Sequence, residues 1–371
     1  MAAGAVVRGP VEVKTEALVV GGGLAGAAVA ITLARAGRDV VLVEREAGPK
    51  HKVCGEFLSA EALGYLGGLG VEVAALGAVK IARVRMAGRE VRLPFEAMSV
   101  TRRALDEALL ERVAEVGARV LRGSAVEGVE RMGERWSARI GREQNVEAGA
   151  AFLATGKHDL RGWGRPEGRQ DGLVAFKMYW RLSAEQARAM DGVVELFLYR
   201  GGYAGLQLVE DGSANLGCLI EREELKRLGG GWEKLLEAML AGSGELRERL
   251  RGAEPVLGRA LAVSAIPYGM VRERTAGVWC VGDQAAVIPS FTGDGMSIAL
   301  HTGMLAARMY LEGATAREFQ RRVGAELRRQ VGLATWISRG MVGVPRVMAG
   351  VVRVWPGVLG VVAKGTRIAS R

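Results

Sequence analysis

The sequence predicts an α/β fold in which a Rossmann-type domain carries an inserted antiparallel β-sheet domain and is followed by C-terminal helices. Two glycine-rich segments near opposite ends of the chain support this prediction, one at 21–26 and one at 282–295. Between them lie short alternating runs that are typical of strands in an antiparallel sheet. With 371 residues, 49% of them hydrophobic, the chain is long enough to build a large core in about two domains.

The N-terminal glycine segment has the pattern of a nucleotide-binding turn. A predicted strand at Glu16–Val20 leads into Gly21, Gly23 and Gly26, and a helix is predicted from Leu24 to Ala36. In such a motif the first glycine permits the tight turn, the second admits a pyrophosphate and the third allows close helix–strand packing. The free N–H groups of the helix N-terminus then bind the phosphates.

An acidic residue completes this first motif. A second strand is predicted at Asp39–Val43, and Glu44 follows it about 20 residues after the glycines. A carboxylate there accepts hydrogen bonds from ribose hydroxyls and repels a 2′-phosphate. The motif therefore indicates FAD or NAD rather than NADP.

The C-terminal glycine segment follows a second predicted buried strand, Gly277–Val281. Gly282 and Asp283 end that strand, and Asp283 is a candidate for binding a ribityl or ribose hydroxyl. A helix is predicted from near Thr292, where Gly293 and Gly295 leave backbone N–H groups bare. Those groups can stabilise negative charge on a reduced flavin ring.

Together these segments resemble the FAD-dependent oxidoreductases of the p-hydroxybenzoate hydroxylase fold, over about residues 16–330. The chain looks most like the geranylgeranyl-reductase-like branch, because residues 52–59 (Lys-Val-Cys-Gly-Glu-Phe-Leu-Ser) match a Cys-Gly loop of that branch. Arg102, at the start of a predicted helix capped by Thr101, matches an arginine that contacts FAD in the family. The Trp and Phe-Pro substrate motif of that branch is absent, so the substrate is not carried over.

The motifs and the resemblance define a candidate site. The predicted FAD-binding residues are Gly21, Gly23, Leu24, Ala25, Gly26, Glu44, Arg45, Cys54, Arg102, Val126, Thr155, Gly156, Gly282, Asp283, Pro289, Thr292, Gly293, Asp294, Gly295 and Met296. The predicted catalytic residues are Cys54 and Gly55, which the resemblance places beside the flavin ring. Cys54 is either redox-active or a packing residue, and His51 and Lys52 contact either an anion or solvent.

The electron donor is left open. The family implies NAD(P)H, but Thr155 stands where the aromatic hydroxylases have an aspartate that serves both FAD and NAD(P)H. A separate reductase or a ferredoxin is the alternative donor. No lysine matching that of the flavin halogenases follows Gly26, which disfavours halogenation.

The resemblance and the strand pattern give the domain organisation. The FAD-binding domain is expected to be discontinuous, with residues 1–78, 97–160 and 260–330. The substrate domain is expected at 79–96 and 161–259, with Asp211-Gly212 as a hairpin turn. A helical segment is expected at 331–371.

Composition excludes several other classes of protein. The net charge is +10, but the basic residues are dispersed and aromatic residues make up only 5%, which disfavours nucleic-acid binding. Three scattered cysteines indicate neither disulfides nor a metal site. Without a signal-peptide pattern or an 18-residue apolar run, a cytoplasmic protein is expected.

The C-terminal segment combines valines and tryptophans with regularly placed cations, and Pro345 and Pro356 divide it. Two interpretations are open: helices that pack on the protein and close its cavity, which is favoured, or a peripheral contact with an anionic membrane. Both imply an apolar small-molecule substrate.

The sequence thus predicts an FAD-dependent oxidoreductase. The leading hypothesis is a monooxygenase or oxidase of an aromatic, polyketide-like or isoprenoid-like molecule, acting through flavin C4a or N5 chemistry. The alternative is reduction of prenyl C=C bonds. A non-enzymatic nucleotide-binding module is disfavoured by the two complete motifs and the added sheet domain.

Overall fold

The computed structural model describes residues 11–141 and 144–367. Its first sheet has the strand order β6-β2-β1-β9-β8-β7, and β16 pairs with β9. The strands are β1 (Val11–Val20), β2 (Val40–Glu44), β6 (Arg119–Arg122), β7 (Val126–Met132), β8 (Arg135–Ile140), β9 (Gln144–Leu153) and β16 (Trp279–Cys280). The pairs among β6, β2, β1, β9 and β16 are parallel, as predicted for a Rossmann-type domain.

Helices cover this parallel sheet and form the main hydrophobic core with it. They are α1 (Leu24–Arg35), α2 (Ala60–Leu69), α3 (Arg102–Glu115) and α8 (Gly295–Leu311). The predicted cap of α3 is confirmed, since Thr101 Oγ1 accepts a hydrogen bond from the Ala104 N–H at 3.2 Å. Gly303 lets α8 approach α1, because a Cβ there would lie 2.4 Å from the Ala25 carbonyl oxygen.

A second, mainly antiparallel sheet lies beside the first, with the order β14-β10-β13-β12-β11-β4-β5-β3, and β15 pairs with β10. The strands are β3 (Phe57–Ser59), β4 (Val79–Met86), β5 (Arg89–Ser99), β10 (Leu173–Arg181), β11 (Val193–Tyr199), β12 (Gly202–Leu208), β13 (Ala214–Glu221), β14 (Glu254–Pro255) and β15 (Leu261–Val263). The pair β4–β11 is parallel, which joins the two chain segments of the inserted domain. The Asp211-Gly212 turn connects β12 to β13, as predicted.

Small helices cover the outer face of this sheet and the chain then ends in three further helices. The small ones are α4 (Ala184–Ala189), α5 (Arg222–Arg227), α6 (Gly231–Gly242) and α7 (Gly244–Arg249). The last three are α9 (Ala316–Gly343), α10 (Pro345–Val354) and α11 (Val358–Gly365). Short 3-10 turns at Val73–Leu76, Gly282–Gln284 and Ser290–Thr292 complete the elements.

The structure differs from the predicted domain limits at four places, one of which is the limit at 96/97, because it falls inside β5. β3 and β15 fall in segments predicted for the FAD-binding domain, but they pair with the second sheet. The predicted limit at 330/331 falls inside α9, because the apolar stripe of that helix continues across it and the first proline comes only at Pro345. The C-terminal segment is therefore continuous with the helix before it.

Candidate functional site

The N-terminal glycine turn is shaped by two close backbone approaches. Gly21 has φ of 106°, and a Cβ there would lie 2.5 Å from the Ala154 carbonyl oxygen at the end of β9. A Cβ on Gly26 would lie 1.9 Å from the Gly21 carbonyl oxygen. Only glycine fits at these two positions. The turn therefore packs closely against the end of the parallel sheet, as the glycine pattern of the nucleotide-binding motif predicts.

Helix α1 starts at this turn with unpaired N–H groups. Its N-cap residue is Gly23, no side chain caps it, and its first turn holds no acidic residue. Glu44 is buried at the end of β2, where Oε2 accepts a hydrogen bond from the Gly22 N–H at 2.7 Å and Oε1 accepts one from the Glu46 N–H at 3.0 Å. The uncapped helix and the adjacent carboxylate fit a pyrophosphate and a ribose.

The second glycine segment brings another helix N-terminus to the same place. Gly282 has φ of 60°, donates its N–H to Thr302 Oγ1 at 2.8 Å and faces Ala25 of α1. Helix α8 begins at Gly295, one residue after Asp294, and again no side chain caps it. Two uncapped helix ends from opposite ends of the chain thus meet at one cavity, which fits the two halves of FAD.

The loop before β3 is held against this cavity by a row of side chains on the second sheet. Tyr179, Asn215 and Gln207 are cross-strand neighbours on β10, β13 and β12. The Gly55 carbonyl oxygen accepts hydrogen bonds from Gln207 Nε2 at 2.8 Å and Asn215 Nδ2 at 3.0 Å. This row fixes the backbone of the predicted catalytic residues, and both Cys54 and Gly55 line the cavity.

A buried ion pair lies directly behind the loop. Lys177 Nζ lies 2.6 Å from Glu56 Oε1, and both side chains are fully buried. The Glu56 carboxylate also accepts hydrogen bonds from the Tyr179 hydroxyl at 2.7 and 2.8 Å and from the Arg102 N–H at 2.7 Å. Glu56 has φ of 59°, which costs energy for a residue other than glycine, so these contacts hold it in a strained backbone conformation.

Burial governs the protonation of this pair. Loss of water raises the pKa of the Glu56 carboxyl group and lowers the pKa of the Lys177 ammonium group, although each partner opposes the other's shift. The hydroxyl of Tyr179 also lies 3.1 Å from His51 Nδ1. A hydrogen-bonded chain therefore connects His51, which is only half-buried, to the buried carboxylate.

Arg102 and Lys52 share one carboxylate. Arg102 Nε and one of its terminal nitrogens donate to the two oxygens of Asp106 at 2.7 and 2.8 Å, and Lys52 Nζ lies 2.7 Å from Asp106 Oδ2. The guanidinium of Arg102 lines the cavity next to Gly23. For Lys52 and His51 the sequence left contact with an anion or with solvent open. In the structure Lys52 pairs with Asp106 and His51 contacts Tyr179, so neither side chain is purely solvated.

The predicted cofactor residues include some that line the cavity, some that shape the turn behind it and some that do not border it. Those that line the cavity are Gly23, Leu24, Ala25, Cys54, Arg102, Gly156, Gly282, Asp283, Thr292, Gly293, Gly295 and Met296. Gly21, Gly26 and Glu44 shape the turn behind it. Arg45 is exposed and paired with Glu46, and Val126 begins β7 at the edge of the sheet, so neither borders the cavity.

Asp294 has a partner that the sequence did not reveal. Its fully buried carboxylate forms a salt bridge of 2.5 Å with Arg367, which follows α11. The Arg367 guanidinium also lies 3.9 Å from the centre of the Phe95 ring. Burial raises the pKa of the Asp294 carboxyl group to about 7, and Arg367 offsets only part of that shift.

The cavity has a volume of about 310 Å³ and lies between the FAD motifs, the second sheet and the last two helices. Much of its wall is apolar. The apolar lining residues include Val84, Met86, Leu93, Val194, Leu196, Ile337, Met341, Met348, Val352, Val358, Leu359 and Val362. Helices α10 and α11 thus pack on the protein and close the cavity, as the favoured interpretation of the C-terminal segment expects.

Sequence reasoning missed Glu56, Lys177, Gln207, Asn215 and Arg367. A signal existed for Lys177, because it is the single charge inside the apolar run 173–180. A charge in such a run is seldom accidental, since an unpaired buried ammonium is very costly. Nothing local identifies its partner, which lies 121 residues earlier in the chain.

Comparison with known proteins identifies the N-terminal motif independently. The family model described as an FAD binding domain matches residues 14–150. The match supports FAD as the cofactor, and it covers the glycine turn and Glu44 but not the N-terminus of α8.

Three relatives extend the similarity along the chain. Menaquinone reductase of Mycobacterium tuberculosis is 27% identical over 326 residues, which cover 81% of this chain and 77% of that protein. Digeranylgeranylglycerophospholipid reductase 2 of Methanopyrus kandleri is 29% identical over 322 residues, with 80% and 77% covered. The structure of a flavin-dependent brominase superposes with a TM-score of 0.79 at 16% identity, covering 96% of this chain and 94% of the brominase, and shows a shared fold.

Proposed function

We propose that this protein, an FAD-dependent oxidoreductase with the fold predicted from its motifs, reduces carbon–carbon double bonds in the isoprenoid chain of an apolar substrate. A prenylated quinone or a prenylated lipid is the substrate class. Electrons reach the double bond as a hydride and a proton follows.

The observation that carries this proposal is the apolar cavity that begins at the Cys54–Gly55 loop. Its far wall is formed by Met348, Val352 and Leu359 of the last two helices. A long hydrocarbon chain gains about 0.8 kcal/mol for each methylene that such a wall removes from water. The cavity therefore favours a flexible apolar chain over a small polar molecule.

The two enzymes that share about four-fifths of this chain support the same chemistry. Both are named as reductases, and the name of the archaeal enzyme specifies geranylgeranyl chains. The missing Trp and Phe-Pro motif means that the chain of this substrate contacts a different set of side chains.

The residues of this chain would have the following roles in binding FAD and in the reaction. The N–H groups at Gly23–Ala25 bind the pyrophosphate, Glu44 binds a ribose, and the N-terminus of α8 stabilises negative charge on the ring. When bound, FAD supplies the hydride. Cys54 lines the cavity, and its thiol is our candidate for the group that would hold the proton when FAD is bound. Gly55 keeps the backbone close to the ring, and the apolar wall excludes water.

The monooxygenase that the sequence analysis favoured stays a prediction. The brominase shares the fold at an identity that carries no information on the reaction. Oxygen insertion and double-bond reduction both use reduced flavin, so only the product distinguishes them.

The test uses the FAD-bound protein, reduced with dithionite under anaerobic conditions and mixed with menaquinone in detergent micelles. We expect a product whose isoprenoid chain has gained two hydrogen atoms, measured by mass spectrometry. Menadione, which has the same ring without the chain, controls for reduction of the quinone itself. An unchanged chain despite fully reduced flavin, or an added oxygen atom when air is admitted, would contradict the proposal.

The same preparation identifies the donor. NADPH and NADH are added separately under anaerobic conditions and the visible flavin band is followed. Bleaching shows direct use of that nucleotide, whereas bleaching by dithionite alone indicates a protein donor.

A further inference from the structure

Helices α10 and α11 carry exposed apolar residues in addition to those that line the cavity. The inner face, with Met348, Val352 and Val362, lines the cavity. The outer face is exposed, and Val354 retains 88% of its accessible surface. A helix that only closes a cavity has no need of an apolar outer face, because solvent favours polar residues there.

Eight of the ten exposed large apolar side chains among the described residues lie between positions 333 and 361. Val347, Val351 and Val354 follow the spacing of a single helical face on α10, and Val351 also borders the cavity. Trp336, 73% exposed, lies one turn of α9 from both Leu333 and Gly340. Leu333 approaches Gly365 of α11 and Gly340 approaches Met348 of α10, so this stretch of α9 contacts both helices. We call this set, with Val344, Trp355 and Val361, the C-terminal apolar surface.

The charged residues of the segment that carries this surface have one sign, although Arg367 is paired with the buried carboxylate of Asp294. From residue 331 to the end of the sequence there is no aspartate or glutamate, and the cations are Arg339, Arg346, Arg353, Lys364, Arg367 and Arg371. Arg346 and Arg353 are both exposed and lie seven residues apart on one flank of α10. Their long side chains can reach anionic groups while the valines beside them enter an apolar layer.

We propose that the C-terminal apolar surface docks on an anionic lipid surface, with α10 lying in the interface. Apolar residues and cations together provide the two contributions that stable peripheral binding requires. Of the helices in residues 11–141 and 144–367, none is by itself long and apolar enough to cross a membrane, and α10 and α11 meet at 112°. The bent pair therefore suits a position in the interface.

This docking gives the cavity direct access to the bilayer. The same two helices separate the cavity from the outer surface, so an apolar chain dissolved in lipid need pass only between them. This step rests on the proposed function, whereas the docking itself does not.

The experiment is co-sedimentation of the FAD-bound protein with vesicles, without substrate. One vesicle set is phosphatidylcholine and the other contains phosphatidylglycerol. We expect sedimentation with the anionic vesicles, and weaker binding as salt rises. Val347→Asn/Val354→Asn is expected to weaken binding tenfold or more, while Met132→Gln/Val256→Asn, which changes two exposed apolar residues elsewhere, leaves it unchanged.

A second pair of double variants tests whether the cations of α10 contribute to vesicle binding. Arg346→Gln/Arg353→Gln is expected to weaken binding to anionic vesicles roughly tenfold or more. Arg181→Gln/Arg188→Gln has the same change in net charge and should bind like the wild type. The flavin spectrum of each variant confirms that it is folded.

Two results would overturn the inference. One is wild-type protein that stays in the supernatant with both vesicle types. The other is a dimer in light scattering that Val347→Asn/Val354→Asn converts to a monomer, because the surface would then bind a second copy of this chain. Failure to hydrogenate menaquinone in micelles would contradict the proposed function and leave this docking result unaffected.

Discussion

The glycine turn at 21–26 and the loop at 51–57 lie at the same cavity but are built in different ways. The turn is determined by backbone packing, since Gly21 and Gly26 contact carbonyl oxygens that no side chain could approach. The loop is fixed by side chains from a distant sheet, through the contacts of Glu56 with Lys177 and Tyr179. A local sequence motif is sufficient for the first, whereas the second needs a whole domain to be in place.

The largest effect is expected when the backbone packing of the turn is broken. Gly26→Ala places a Cβ 1.9 Å from the Gly21 carbonyl oxygen, where the neighbour is backbone and cannot rotate away. We expect a loss of about 3 kcal/mol or more in the free energy of unfolding, and no FAD bound after purification. Urea unfolding and the flavin absorbance measure these two quantities.

Gly64→Ala is the matched control, because Gly64 lies inside α2 and a Cβ added there would meet no atom within 4 Å. It should be neutral or stabilising by up to about 1 kcal/mol. If both variants bind FAD equally well, the turn does not need the close approach that we describe.

Breaking the ion pair between Lys177 and Glu56 should destabilise the loop and the folded protein. Lys177→Met leaves the Glu56 carboxylate buried without its cation, and we expect a loss of about 3–5 kcal/mol in the free energy of unfolding. Lys177→Met/Glu56→Gln removes both charges and should recover part of that loss. A double variant as unstable as the sum of the two single variants would show that the pair is not coupled.

The next expected effect is the pH dependence of stability that Asp294 causes. The pKa of its carboxyl group is raised to about 7 in the folded protein, against about 4 in an unfolded chain. The folded state therefore binds the proton more tightly, and the resulting stability is complete below pH about 4 and is lost as the pH rises to about 7.

Asp294→Asn cannot titrate, so it provides the comparison. Between pH about 5 and about 8, the melting temperature of the wild type should fall relative to that of the variant. Parallel curves for the two proteins would mean that Asp294 has an ordinary pKa.

The smallest effect on FAD binding is expected at Cys54. The second sheet holds the carbonyl groups of Cys54 and Gly55, not the thiol. Cys54→Ala should therefore bind FAD within about 0.5 kcal/mol of the wild type, in a titration followed by flavin fluorescence. Asn215→Leu removes two of the hydrogen bonds to the loop and should weaken FAD binding more than Cys54→Ala does. The reverse order would show that the thiol itself positions the ring.

The sequence by itself determined the parts of this protein that depend on neighbouring residues. The strand, glycine turn, helix and Glu44 follow one another within 29 residues, so spacing and residue type were enough to predict the FAD site. The strands of the inserted sheet and the Asp211-Gly212 turn were equally readable, because alternation and turn chemistry are local. The apolar stripe of the C-terminal helices predicted that they pack against the cavity.

Only the tertiary structure decided which distant residues meet. Lys177 pairs with Glu56, and Arg367 pairs with Asp294, because separate elements pack against one another. No short sequence spacing predicts such a pair. The pairing of β3 and β15 with the second sheet is also a long-range result. Burial then makes these contacts matter, since a charge removed from water must be compensated by whichever groups the fold brings to it.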